Sequence, residues 1–102
     1  MSNKSPKVVN LLELVATHIE SGKYLDTRHS EARQDQRKIT RPELLYVLKH
    51  GHHEKRKDRF DDHYKAWNYS IRGKTVDKRD LRVIVSFDPA GMLIITAIEI
   101  ER

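Results

Sequence analysis

Leu81-Arg82-Val83-Ile84-Val85-Ser86-Phe87-Asp88-Pro89-Ala90-Gly91-Met92-Leu93-Ile94-Ile95-Thr96-Ala97-Ile98-Glu99-Ile100 reads as two strands and a turn. Leu81, Val83, Val85 and Phe87 alternate with Arg82, Ile84 and Ser86, the period of a strand with one face buried. Asp88-Pro89-Ala90-Gly91 has turn chemistry. Met92 to Ile100 carries apolar residues in both phases, which places it centrally in a sheet. Upstream, Trp67, Tyr69 and Ile71 alternate with Asn68, Ser70 and Arg72, and Gly73 to Asp80 forms a polar loop. This half of the chain is therefore expected to be an antiparallel meander.

Before Gly51 the period changes to that of helices. Thr40-Arg41-Pro42-Glu43 is a capping box, with Ile39 and Leu44 as a hydrophobic staple around it. Leu44, Leu45, Val47 and Leu48 form its apolar face, and Gly51 stops the helix. Further back, Ser5 and Pro6 suit a helix start. Val8, Leu11, Leu12, Val15 and Ile19 then paint one stripe as far as Gly22. Lys23 to Thr27 is a short extended piece anchored by Tyr24 and Leu25. Thr27 can cap a very polar helix over 28–38, in which Ala32 is the one apolar residue. A helix with so little to bury must lie on the surface or line a site. Helices first and strands after give an α+β fold, with N-terminal helices packed on a C-terminal antiparallel sheet. A single domain over 1–102 is expected, helical over 6–51 and sheet over 52–102.

The chain has 102 residues, enough for one modest core. No apolar stretch approaches the roughly 20 residues of a membrane helix. The N-terminus Met1-Ser2-Asn3-Lys4-Ser5-Pro6 lacks the apolar core of a secretory signal. Without cysteine there are no disulfides and no thiolate metal sites. A cytoplasmic protein without membrane contact is the expectation. Twenty Lys and Arg against fifteen Asp and Glu leave a charge of +5, which favours acidic partners.

Three groups of residues could carry chemistry. His29, Arg33 and Arg37 stand four apart, so on a helix they share one stripe. An imidazole beside two guanidiniums suits a phosphodiester, one moving a proton and two holding charge. A solvated helix face accounts for the same stripe. His50, His52, His53 and His63 fall within fourteen residues. They lack cysteine partners and regular paired spacing, so no metal site and no cofactor is expected. Lys55-Arg56-Lys57-Asp58-Arg59 is followed by Tyr64, Trp67 and Tyr69; cations can track a phosphate backbone while aromatic faces stack on bases. Inward packing of Trp67 and Tyr69 is the plainer account of those rings. Arg72 and Arg82, opposite in phase to the apolar residues of their strands, extend a basic surface across the sheet.

His29-Ser30-Glu31-Ala32-Arg33, Arg37-Lys38-Ile39-Thr40-Arg41-Pro42-Glu43-Leu44 and the strands Leu81–Val85 and Leu93–Thr96 together resemble a bacterial family of small domains of unknown function. The resemblance spans residues 24–100. That family in turn resembles the RelE and BrnT toxin superfamily of compact α+β ribonucleases. The resemblance implies a RelE-like fold, metal-independent RNA cleavage and an acidic antitoxin protein as partner. Cleavage would run by attack of a ribose 2′-OH on the neighbouring phosphate. His29 would be the acid or base, with Arg33 and Arg37 stabilising the phosphate charge. Lys55, Arg56, Lys57, Arg59, Arg72 and Arg82 would hold the RNA. The chain ends Ile98-Glu99-Ile100-Glu101-Arg102, without the C-terminal Tyr or Lys that many such toxins carry. The alternative is a non-catalytic RNA- or protein-binding module of the same fold.

Overall fold

The computed structural model describes residues 4–27 and 39–100. The chain forms helix α1 (Leu11–Ser21), strand β1 (Tyr24–Asp26), helix α2 (Arg41–His50), strand β2 (His52–His53), a 3-10 turn (Lys55–Lys57), and strands β3 (Arg59–Asp61), β4 (Ala66–Lys74), β5 (Asp80–Asp88) and β6 (Gly91–Glu99). The polar helix expected over 28–38 lies outside the described residues. Among those described, no helix is long and apolar enough to cross a membrane.

The fold is α+β. Its sheet is mixed, where the strand pattern predicts an antiparallel one. In the order β1-β6-β5-β4-β2, every pairing is antiparallel except that of β1 with β6. β1 lies within 6–51, the span expected to be helical, so the sheet draws on both halves of the chain. Tyr24 to Asp26 contain too little periodicity to announce which strand they join or in which direction. Leu25, expected as an anchor, is 58% exposed, while Asp26 beside it is buried.

β6 is flanked by β5 and β1, as its two apolar phases suggest. Its pairing with β5 slips by one residue: Ile84 faces Thr96 but Val85 faces Ile94, so Ile95 is a bulge. The bulge returns Ala97 to the side that buries Ile94 and Met92. On that side Ile71, Leu81, Val83 and Val85 meet Leu44, Val47 and Leu48 of α2 and Leu11 and Val15 of α1.

Both described helices end where the sequence places a glycine, for different reasons. Gly22 takes the left-handed conformation (φ 73°). Its N–H and that of Lys23 donate to the Ile19 and His18 carbonyls, closing the last turn of α1. Gly51 is extended. A Cβ there would lie 2.5 Å from the Arg72 carbonyl oxygen, and one on Gly73 would lie 2.9 Å from the Gly51 Cα. The two glycines press backbone on backbone, and so α2 sits tightly on β4.

α2 has the capping box its sequence predicts. The Thr40 hydroxyl accepts from the Glu43 N–H, and a Glu43 oxygen accepts from the Thr40 N–H. The other Glu43 oxygen binds Arg79 at 2.9 Å, and Arg79 also binds Glu99. These bonds, the one from the Thr40 backbone first, hold the Glu43 carboxyl below its ordinary pKa.

α1 begins at Leu11, not at Ser5-Pro6. Residues 4–10 instead run as an arm against β4. The Trp67 Nε1–H donates to the Ser5 carbonyl (2.7 Å), the Val8 N–H donates to the Tyr69 hydroxyl (3.0 Å), and the ammonium of Lys7 stands over the Trp67 ring. Tertiary contacts outweigh a local helix-start signal here. Val8 therefore touches the core from the arm.

The Gly51–Gly73 contact yields a stability prediction. Gly51→Ala should cost about 2 kcal/mol, because neither backbone can retreat from the added methyl. Gly22→Asn, a residue that tolerates the left-handed region, should cost only about 0.5 kcal/mol. Urea unfolding of both variants checks the order.

Candidate functional site

β4 has one long neighbour, β5. Its other edge meets two short pieces, β2 and β3. His52 and His53 face Arg72 and Ile71, while Arg59 and Phe60 face Asn68 and Trp67. Between them the outer strand leaves the ladder for residues 54–58, opposite Tyr69 and Ser70 of β4, and the backbone of Ser70 meets the gap.

The gap is closed by two carboxylates. The Ser70 N–H donates to Asp58 Oδ1 (3.0 Å), so a side chain replaces the missing strand carbonyl. The Ser70 carbonyl accepts from the Glu54 N–H (2.8 Å), and its hydroxyl donates to Glu54 Oε1 (2.8 Å). Ser70 is fully buried, with every polar group partnered.

The sequence Glu54-Lys55-Arg56-Lys57-Asp58 makes this arrangement. Both acidic ends fold inward, and the three cations between them turn outward in the 3-10 turn, all exposed. Arg59 follows on β3 and is exposed as well. Among the described residues none of these four cations makes an ion pair.

The strand arginines are placed differently. Arg82 Nε and Nη2 donate to the two Glu54 oxygens at 2.7 and 3.0 Å. Arg72 Nε and Nη2 donate to Asp80 at 3.0 and 2.7 Å, and its Nη1 lies 3.6 Å from Glu54. These forked pairs are the strong geometry for arginine and carboxylate. They pull the Glu54 carboxyl down to about 2, the hydrogen bonds from Arg82 contributing most. Both guanidiniums are correspondingly harder to deprotonate, Arg72 chiefly through Asp80 and Arg82 chiefly through Glu54.

Asp58 holds a second pair. Its Oδ2 lies 2.7 Å from His53 Nε2 and 3.0 Å from the Lys7 ammonium, and its side chain is fully buried. His53 lines a cavity of about 370 Å³ whose other walls are His52, Glu54, Arg72 and the cationic turn.

Of the residues expected to hold RNA, Lys55, Arg56, Lys57 and Arg59 are thus grouped and exposed, while Arg72 and Arg82 are bound to carboxylates. His29, Arg33 and Arg37 lie outside the described residues. His50 contacts the Tyr46 carbonyl, and His63 stacks edge-on against Tyr64, so the four histidines do not converge. Among the described residues no group of three or more His, Asp or Glu side chains is arranged to hold a metal ion. The roles of Glu54, Asp58 and Ser70 have a faint sequence signal: two acids bracketing three cations.

A domain family described as a domain of unknown function, DUF4258, matches residues 27–99, and the chain belongs to it. The match contains His29, Arg33 and Arg37, helix α2 and strands β2 to β6. No curated protein and no solved structure matches the chain.

The depressed Glu54 carboxyl sets a pH dependence. A carboxyl lowered on folding stabilises the protein above its unfolded value and loses that contribution as pH falls toward the folded one. From an ordinary 4.5 to about 2, at about 1.4 kcal/mol per pH unit, this amounts to roughly 3 kcal/mol. Glu54→Gln should therefore unfold more easily at neutral pH, and the gap to wild type should close between about pH 4.5 and pH 2. Thermal melts across that range measure it.

Proposed function

We propose that this domain binds single-stranded RNA through the turn Lys55–Lys57 and Arg59, as a RelE-like protein that cleaves RNA without metal. The observation that carries the binding is the sorting of cations. Five acidic residues, Glu43, Glu54, Asp58, Asp80 and Glu99, engage Lys7, Arg72, Arg79 and Arg82. Four adjacent cations are left outward and unpaired among the described residues, which suits a phosphate backbone. Tyr64, three residues past β3, is 76% exposed and offers a face for a base.

For cleavage, His29 moves the proton of the attacking 2′-OH or of the leaving oxygen, and Arg33 and Arg37 hold the charge that builds on phosphate. This assignment rests on their spacing of four and on the RelE-like resemblance. An acidic antitoxin would compete with RNA for the same turn. The alternative is a non-catalytic RNA-binding module.

Binding should weaken steeply with salt. Each phosphate contact contributes a slope of about −0.7 in log K against log salt, so four contacts give roughly −3. Replacing Lys55, Arg56 and Lys57 by Ala should remove most of that slope while shifting stability by only about 0.5 kcal/mol. Absence of RNA affinity at low salt would contradict the reading.

Catalysis is tested apart from binding. Expressing the wild-type chain alone should arrest bacterial growth, and His29→Ala or Arg33→Ala should relieve the arrest. The purified protein should cut RNA in the presence of a chelator and leave a cyclic phosphate. RNA binding with no cleavage and no toxicity selects the non-catalytic module.

A further inference from the structure

His53 forms the wall between the turn and β4, and its surroundings fix its chemistry. The other two partners of the Asp58 carboxylate, the Ser70 N–H and the Lys7 ammonium, are both donors. With donors at its other contacts, Asp58 accepts from His53 as well, which places the shared hydrogen on Nε2 at 2.7 Å. Nδ1, the other ring nitrogen, has no hydrogen-bond partner among the described residues. A buried carboxylate holding one ring nitrogen is the usual way to orient an imidazole for work at the other.

The cavity beside this ring is cationic. Lys55, Arg56, Lys57 and Arg72 line it. Glu54, the one carboxylate among its described lining residues, is occupied by Ser70, Arg82 and Arg72. A divalent metal ion would be repelled. An anion with several acceptor oxygens would find donors on more than one side.

We propose that this cavity is a phosphate subsite in which protonated His53, oriented by Asp58, donates from Nδ1 while the turn and Arg72 supply charge. The RNA reading identifies the ligand as one backbone phosphate; the subsite itself is defined by the anion. The charged groups around the ring are Asp58, Lys7, the turn cations and Arg72, and the Tyr69 ring packs edge-on at 5.9 Å. An anion and an imidazolium attract each other, so anion binding is linked to proton uptake at His53 and affinity rises as pH falls.

The test follows the His53 ring resonances by NMR in the full chain while sulfate, whose charge is constant over the working range, is added. Sulfate should move the His53 signals and bind roughly tenfold tighter near pH 5.5 than near pH 8. His53→Gln, which keeps an N–H donor but cannot titrate, should bind with little pH dependence; His52→Gln should behave as wild type. Single-stranded RNA is then added in place of sulfate. Movement of His53 by both ligands supports a backbone-phosphate subsite. Movement by sulfate alone supports the anion subsite and removes RNA as its source. A His53 resonance that neither ligand moves overturns the proposal, as does full pH dependence surviving in His53→Gln.

Discussion

Ser70 stands where the outer strand of the sheet breaks, and its polar groups hold the break together. An unpaired N–H and C=O buried at that point would cost several kcal/mol. Asp58 and Glu54 satisfy them instead, the first through its side chain and the second through both backbone and side chain. Because Glu54 also clamps Arg82, the break is tied to the middle of the sheet. The interruption also limits edge pairing. β2 and β3 are only two and three residues long, and the cations between them point outward.

The same constraint sorts the charges. Arginines on the strands face carboxylates across short, forked contacts, in surroundings where an unpaired charge would be costly. The lysines and arginines of the turn are outside that system. A basic composition alone does not separate these two populations, although they differ in chemistry. The first group holds the sheet together, with Arg72 also lining the cavity beside the turn, and the second remains available to a polyanion. The arm of residues 4–8 joins the first group through Lys7 and lies outside the span matched by the DUF4258 family.

Where local chemistry decided the structure, the sequence was legible. Thr40 and Glu43 define the start of α2, the alternation of Leu81, Val83 and Val85 defines β5, and the doubled apolar phase of β6 announces a strand paired on both sides. Where tertiary contacts decided, it was not. Ser5 and Pro6 look like a helix start, but the Ser5 carbonyl accepts from Trp67 and, two residues past Pro6, Val8 donates to Tyr69. Tyr24–Asp26 pair in parallel with a strand nearly seventy residues later, and no local period encodes such a partner. Glu54 and Asp58 carry no local signal of their own beyond standing at a basic run, since their role depends on the gap at Ser70, which exists only once β2 and β3 have both paired with β4. The cationic turn itself was visible as Lys55 to Arg59. That Arg72 and Arg82 belong to a different population was not, because their partners Asp80 and Glu54 are eight and twenty-eight residues away.

Backbone amide and arginine side-chain NMR of the whole chain, recorded as single-stranded RNA is added at low salt, tests this division most directly. Shifts should concentrate at residues 52–59, with the Arg82 guanidinium signals unmoved because Glu54 keeps them. Shifts centred on the Arg82 guanidinium, or on the far end of the sheet around β1, would contradict it.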